Sequence, residues 1–392
     1  MSDCFDYLIV GAGAAGLSLA YHLQRAGLTS KRILLIDRAP KAGNDRTWCF
    51  WEAGESPFEP LVFRRWERVA FHGENFSAVL SLLPYRYKMI RSADFYAFFE
   101  DWLPLQTNIE RRFLDVVAVE DGGDHARVIA RDGTVLCGEW AFSSVMFAPP
   151  CAQGDAQVHC WWQHFLGWVV RAPRAAFDPE TATLMDFRVA QGEDEVRFVY
   201  VLPFDAHTAL VEFTVFSRAV WAREAYCDPL RAYLCEHLGL REYAVLEEEL
   251  GVIPMTDARF AAEQGRVIRI GTAGGDTKPS TGYTFQRVQR RTQAIARALA
   301  QGRTPRRQPS FRRARHALFD SVLLNVLDER RDRGVHVFTD LFARNPTARV
   351  LRFLDEDTSL LEELCVMSSV NKRAFLTATA AVLLKRLRAA FG

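Results

Sequence analysis

The chain has 392 residues, 49 % hydrophobic and 25 % charged, a globular composition with apolar mass for about two or three compact units. Its 49 basic and 48 acidic side chains leave a formal net charge of +1, so no global field draws it to nucleic acid or membrane. It has no run of about 18 apolar residues, so no bilayer-spanning helix is expected.

Tyr7–Val10 reads as a short buried strand, followed at once by Gly11-Ala12-Gly13-Ala14-Ala15-Gly16 and then by helical spacing over Leu17–Leu23. In such a G-x-G-x-x-G turn Gly11 permits the tight bend and Gly13 lets backbone approach a pyrophosphate. Gly16 lets the helix press on the strand. A second strand, Arg32–Ile36, ends in Asp37, about twenty residues beyond Gly16, where a carboxylate accepts ribose hydroxyls. This is a dinucleotide cradle, for NAD(P) or FAD. No charged-then-apolar leader precedes it, because Tyr7 already lies in the strand. The eight cysteines show no C-x-x-C pair and no metal-ligand spacing with His, which predicts structural thiols in a reducing cytoplasm.

A β-rich stretch follows, with strands expected over Leu184–Val189, Val196–Leu202 and Ala209–Phe216 and a turn at Pro203–Thr208. In the third strand Leu210, Glu212, Thr214 and Phe216 share one face, and Ala209, Val211, Phe213 and Val215 the other. Glu212 is therefore a carboxyl among apolar neighbours, where desolvation keeps it protonated and able to act as a general acid. The other reading places it at a sheet edge, facing water or pairing with Arg188 or Arg197. Asp186 is a weaker second candidate, because Arg188 shares its face. The run Glu247-Glu248-Glu249 reads as a solvated face.

Val267–Ile270 reads as a buried strand ending in Gly271-Thr272-Ala273-Gly274, and Pro279-Ser280-Thr281-Gly282-Tyr283 leads into a helix from about Thr284 to Ala300. A motif at the extreme N-terminus joined to this later segment favours FAD over NAD(P). Thr272 stands where flavoproteins of this architecture often carry an aspartate, so a hydroxyl contact is expected instead. The helix would point its positive end at the flavin ring and favour an anionic reduced flavin. Beyond it, Arg303, Arg306, Arg307, Arg312, Arg313 and Arg315 surround Pro305, Pro309 and Phe311. An apolar helix over Leu318–Leu327 and a basic amphipathic one over Phe375–Phe391 follow. Basic residues beside amphipathic helices suit an anionic membrane surface, and equally a solvated linker with core-covering helices.

The assembled residues resemble the bacterial lycopene β-cyclase family of flavoproteins over nearly the whole chain. The resemblance runs through the cradle, Asn44-Asp45-Arg46-Thr47-Trp48-Cys49-Phe50-Trp51, Met185-Asp186-Phe187-Arg188 and Val199–Phe204. It continues in Val211-Glu212-Phe213-Thr214, Gly271–Gly274 and Pro279–Tyr283. The Arg46-Thr47-Trp48 and Pro279–Tyr283 segments are specific to this group. The resemblance implies an α/β fold: a Rossmann-like FAD-binding domain (1–160 with 255–300), an inserted β-sheet substrate domain (161–254) and a helical C-terminal region (301–392). It implies that Gly11, Gly13, Gly16, Asp37, Arg46, Gly271, Thr272, Gly274, Pro279 and Gly282 hold FAD, and that Glu212 is the essential acid with Asp186 beside it. Phe213 replaces the second of two adjacent acids common in the family. The implied reaction is a redox-neutral cyclisation of the ψ end groups of lycopene to β-ionone rings. It requires reduced FAD, with NAD(P)H as reductant. The enzyme would lie on the cytoplasmic face of the membrane as a peripheral protein. Trp48, Phe50, Trp51 and Phe213 would contribute cation–π stabilisation or core packing. A flavin monooxygenase remains the alternative enzyme, although Ser143–Pro150 lacks the Asp-Gly turn usual in those proteins. A non-catalytic carotenoid-binding flavoprotein is the third reading.

Overall fold

The computed structural model describes residues 4–391 except 42 and 149–157. Pro149, Pro150 and Cys151 thus lie outside the described residues. Two large sheets and a C-terminal set of helices carry the architecture.

The first sheet is Rossmann-like. Cys4–Val10 is its centre, pairing in parallel with Val135–Ser143 on one side and Ile33–Asp37 on the other. Ile109–Phe113 and Val267–Arg269 extend the parallel run outward, and a hairpin of Val116–Asp121 and Ala126–Ala130 joins at Val135–Ser143. Apolar side chains project from both faces of the central strands, as parallel strands covered on both sides require. Tyr7 and Ile9 pack under the helices Ala14–Arg25 and Phe285–Ala300, while Leu8 and Val10 pack on the opposite side. The two helices are tied by buried polar contacts, His22 with Gln289 at 3.0 Å and Gln289 to Ser18 at 2.9 Å.

The second sheet has the order Ala244–Thr256, Cys160–Arg171, Thr208–Ser217, Val196–Pro203, Thr181–Asp186, Arg68–Gly73 and Phe76–Ser81. It is antiparallel except where Thr181–Asp186 meets Arg68–Gly73. The last two strands come from the segment that the sequence reading assigned to the cofactor region. Val69 and Phe71 are fully buried in that sheet's core, and this burial holds the hairpin there. One face packs on the helix Cys227–Glu236. The other face packs on the small sheet formed by Thr47–Glu52, Arg86–Arg91 and Arg64–Trp66, and on the C-terminal helices.

Those helices span Phe311–Asp328, Gly334–Ala343, Thr347–Leu354, Leu360–Ser369 and Lys372–Phe391. They are anchored to the loop before Phe285 by a buried ion pair, Lys278 Nζ to Asp320 Oδ1 at 2.8 Å, and by Ser280 Oγ donating to Asp320 at 2.6 Å. Cys160 is disulfide-bonded, a pairing that no C-x-x-C spacing signals, whereas Cys4, Cys49, Cys137, Cys227, Cys235 and Cys365 are free thiols.

Candidate active site

The cradle is built by close backbone approaches. Gly11 has φ +96°, and a Cβ there would lie 2.2 Å from Ser144 Oγ. A Cβ on Gly16 would lie 1.9 Å from the Gly11 carbonyl oxygen, so only glycine lets the helix Ala14–Arg25 sit on the turn. Gly13 is different: its Cβ would meet nothing within 4 Å, leaving space above the backbone. No side chain caps the helix, so its first N–H groups stay available to an anion. Asp37 Oδ2 accepts from Ala12 N–H at 2.7 Å, Oδ1 accepts from Arg38 N–H at 2.7 Å, and Lys41 Nζ stands at 3.2 Å. An ionised carboxylate has about four acceptor sites, so Asp37 can brace the turn and still take hydroxyl groups. Asp37→Ala is expected to weaken retention of a bound dinucleotide by about 2 kcal/mol, roughly thirtyfold. Flavin absorbance after gel filtration checks this, and an unchanged spectrum would remove Asp37 from the site.

The downstream signature returns to the same place. Gly271–Gly274 forms a 3-10 turn, and a Cβ on Gly271 would lie 3.0 Å from Ala15 Cβ in the cradle helix. The Gly271 N–H donates to Asp276 Oδ2 at 2.7 Å, and Arg307 pairs with the other oxygen. Gly274 packs on the Arg269 carbonyl, where a Cβ would come within 2.2 Å. Thr284 Oγ1 donates to Gly282 O at 2.9 Å, and the Thr277 and Thr272 hydroxyls continue the chain at 3.0 Å each. With those protons committed inward, Thr272 is left presenting lone pairs. Pro279 leads into Gly282, whose φ is +72° and whose Cβ would lie 2.3 Å from Gln163 Oε1.

Between the second sheet and the small sheet lies a cavity of about 400 Å³. Thr272, Gly282 and the start of the helix Phe285–Ala300 form one wall, and the second sheet forms the other. Aromatic side chains dominate it, among them Trp48, Trp162, Phe165, Tyr200, Tyr283 and Phe285, with Arg46 at its edge. Glu212 projects from the sheet wall, paired in register with Tyr200 on one side and Gly167 on the other. Its accessible surface opens into the cavity. Burial, then the nearby Glu249 carboxylate, pushes Glu212 up to about 8, against the opposing effect of Thr214 Oγ1 donating at 2.8 Å. At neutral pH it is a carboxylic acid. The surrounding phenols also stay neutral: Tyr87 and Tyr283 share a hydrogen bond at 3.2 Å, and burial raises both, as it raises Tyr200. An aromatic-lined cavity with a protonated acid, beside a dinucleotide cradle, can protonate an apolar π bond and shelter the cation formed.

The family model "Lycopene cyclase protein" matches residues 6–380. The chain belongs to this family. Over 390 residues it is 26 % identical to a lycopene beta-cyclase of Pseudescherichia vulneris, with 93 % of each chain covered. It is 25 % identical to a chloroplastic neoxanthin synthase of Solanum tuberosum, covering 76 % of this chain and 61 % of that one. The chain thus spans less than two thirds of its curated plant relative. Among solved structures, a flavoprotein/dehydrogenase of Cytophaga hutchinsonii shares the fold at TM-score 0.62 and 11 % identity, covering 98 % and 100 % of the two chains. HpxO of Klebsiella pneumoniae, solved with FAD, does so at TM-score 0.54 and 16 % identity, covering 97 % and 98 %.

Two expectations change once this lycopene cyclase family member is folded, and one left open is decided. Asp186 does not line the cavity; it is fully buried, with Arg188 Nε at 2.9 Å and Tyr233 OH at 2.7 Å. Burial would raise its carboxyl, but these donors outweigh it and hold Asp186 below the usual range, as an ionised structural group. Phe213 faces the opposite core, Phe50 stacks on Phe285 at 4.9 Å, and Trp51 packs edge-on to Tyr283, donating to Leu351 O at 3.2 Å. Of the four rings, Trp48 alone lines the cavity. The other change is Glu249, expected in solvent and found 7 % exposed in the cavity wall. Its neighbours in the triplet do stay outside, Glu248 pairing with Arg223 and Trp168 and Glu247 exposed.

Proposed function

We propose that this chain is a lycopene β-cyclase that closes the ψ end groups of lycopene into β-ionone rings, giving γ-carotene and then β-carotene. One observation carries the proposal: Glu212 is kept neutral in an aromatic-walled cavity that adjoins the dinucleotide cradle. Its proton goes to C2, and the C1=C2 electron pair becomes the new C2–H bond. The cation left at C1 takes the C5=C6 pair to form C1–C6, and loss of the C6 proton restores the C5=C6 double bond. Trp48, Phe165 and Tyr200 turn aromatic groups toward the cavity, each contributing roughly 0.5–2 kcal/mol of cation–π stabilisation. Excluding water matters equally, because hydration of the cation would end in an alcohol.

The residues present fit FAD. The open space over Gly13, the uncapped helix start and the spare acceptor sites of Asp37 suit pyrophosphate and ribose. Gln163 Oε1 and Thr281 Oγ1 are buried beside Gly282 without hydrogen-bond partners, which polar groups of a ligand would supply. Gly11, Gly13, Gly16 and Asp37 would hold the nucleotide, and Arg46, Gly271, Thr272, Gly274, Pro279 and Gly282 the flavin end. Bound reduced FAD, regenerated by NAD(P)H, supplies electron density that offsets positive charge in the polyene. The cofactor region is then 1–160 with 255–300. The sheet 161–254, joined by the 68–81 hairpin, receives substrate, and 301–392 is the helical cover.

Lycopene partitions into lipid, so the proposal includes peripheral contact with the cytoplasmic face of the inner membrane. No helix of the described residues is long and apolar enough to cross a bilayer. Arg307, Arg312 and Arg315 are engaged by Asp276, Asp357 and Glu363, so the arginine cluster braces the fold. The surface suited to lipid lies further on, where Leu360, Leu361, Leu364, Leu376, Leu384 and Leu387 are exposed beside Lys372, Arg373 and Arg388. Anaerobic incubation with lycopene, FAD, NADPH or NADH and anionic liposomes, read by pigment chromatography, tests the whole reading. Expected are cyclised pigments, formed at a rate that falls as pH rises through about 8, where Glu212 loses its proton. Unchanged lycopene would overturn it, as would a hydroxylated product with oxygen uptake in a parallel aerobic incubation.

A further inference from the structure

The cavity contains a second carboxyl that the acid step does not use. Glu249 stands in the edge strand Ala244–Thr256 and Glu212 in Thr208–Ser217, and both pair in register with Gly167 of the strand between them. Residues directly opposite one another project to the same face, so Glu212, Gly167 and Glu249 form one row across three strands. The two carboxyl-bearing positions are two strand spacings apart, about 10 Å. The residue between them has no side chain: a Cβ on Gly167 would come 3.5 Å from Glu212 Cβ and 2.9 Å from Leu210 Cδ1. The Leu210 and Glu212 side chains cover that glycine, and Glu212 and Glu249 both line the cavity.

The two ends of the row have unlike surroundings. Burial raises the Glu249 carboxyl, and that rise is opposed by the Thr47 backbone N–H, which donates to Oε1 at 2.9 Å, and by the nearby Arg46. Glu249 Oε2 is buried without a partner. Glu212 has a hydroxyl donor and, among the described residues, no cation beside it. The other ionisable groups facing the pair are Asp45 by Glu249, and Cys49, Tyr87, Tyr200 and Tyr283 by Glu212. Burial raises the thiol and the phenols, so they stay neutral. Two like charges in one cavity disfavour double ionisation, and the donor set decides which carboxyl gives up its proton.

We infer that Glu249 is the general base that removes the C6 proton, acting across Gly167 from the Glu212 acid. The inference rests on the cyclisation proposed above. Glu212 transfers its proton to C2 and becomes a carboxylate. Glu249 takes the C6 proton as the C6–H pair becomes the C5=C6 double bond. One proton has then moved from Glu212 to Glu249 through the substrate, and its return within the cavity resets the pair without any co-reactant.

The test compares wild type with Glu249→Gln as full-length flavoproteins under the anaerobic assay. β-Ring formation is expected to fall about a hundredfold. The alkaline limb of the pH profile should move to lower pH, because loss of the neighbouring charge eases ionisation of Glu212. Infrared titration of the protonated carboxyl band, assigned through Glu212→Gln, reads the same shift without turnover. Wild-type turnover with an unmoved limb in Glu249→Gln would overturn the inference and leave the cyclase reading intact. Wild type that leaves lycopene unchanged would instead overturn the cyclase reading. Should the Gln variant not fold, Glu249→Asp keeps the charge on a shorter arm. It should retain the wild-type limb while losing about tenfold in rate, and full activity with an altered limb would count against the inference.

Discussion

Glu212→Gln is expected to abolish cyclisation while the protein still folds and binds flavin. The amide has the shape of the acid, and its carbonyl oxygen can still accept from the Thr214 hydroxyl now 2.8 Å away. Nothing in the cradle or the downstream turn touches it. What disappears is the proton. Loss of a positioned general acid costs about 10² to 10⁴ in rate, and neither the phenols nor the thiol of the cavity can replace it. Tyr87, Tyr200 and Tyr283 are weaker acids than usual there, as is Cys49. Stability moves the other way at alkaline pH. Glu212 holds its proton more tightly folded than unfolded, so the stability tied to that proton is fully present below the unfolded pKa and is lost as pH rises through about 8. The Gln variant has no such loss. Its melting temperature should gain on the wild type's as pH rises from about 5 to about 8 and level off above that. Retained turnover in Glu212→Gln would sink the acid assignment, and a parallel pH dependence of both melting curves would place the carboxyl in water.

The second large effect is expected at Gly16. A methyl group there would sit 1.9 Å from the Gly11 carbonyl oxygen and 3.1 Å from Ile9 Cγ2. Both belong to the central strand and its turn, and neither can rotate away. The helix Ala14–Arg25 must therefore lift off the strand in Gly16→Ala, at a cost of about 3 kcal/mol or more. That movement displaces the N–H groups meant for the pyrophosphate. A lowered melting temperature and loss of flavin absorbance are expected together. Gly13→Ala separates the two effects, since its Cβ meets nothing in the protein. It should melt like the wild type yet release flavin, because the new methyl occupies space left for the ligand. Flavin retained at wild-type level by Gly13→Ala would show that the dinucleotide does not pass over this turn.

Much of the fold was legible because its signals are local. Alternation over Ala209–Phe216 placed Glu212 on the face opposite Phe213, and the strand Thr208–Ser217 has that arrangement. The spacing from Gly11 to Asp37 fitted a strand, a helix and a second strand, and Asp37 ends that second strand. The helix expected from Thr284 begins at Phe285. Glu249 was missed for a physical reason. In Ala244–Thr256 hydropathy runs against burial: Glu249 faces inward, while Leu250 and Val252 are exposed. A signal was present in the alternation Glu249, Gly251, Ile253, Met255, but the other face carries Leu250, Val252 and Pro254, so the pattern does not choose between them. Sites break such rules where chemistry needs a charge inside. Asp186 failed in the opposite sense, because Tyr233 reaches it from a helix more than forty residues away.

Residue order alone determined the cradle, the period of the central strands and the candidacy of Glu212, since each depends on contacts within one turn, one strand or one strand–helix–strand unit. Tertiary structure alone decided that the two glycine signatures meet, that Tyr233 closes off Asp186, and that Gly167 separates two carboxyls. Those facts follow from strand order and register, which are set by packing between segments distant in the chain. Packing of that kind leaves no periodic trace in the segments themselves.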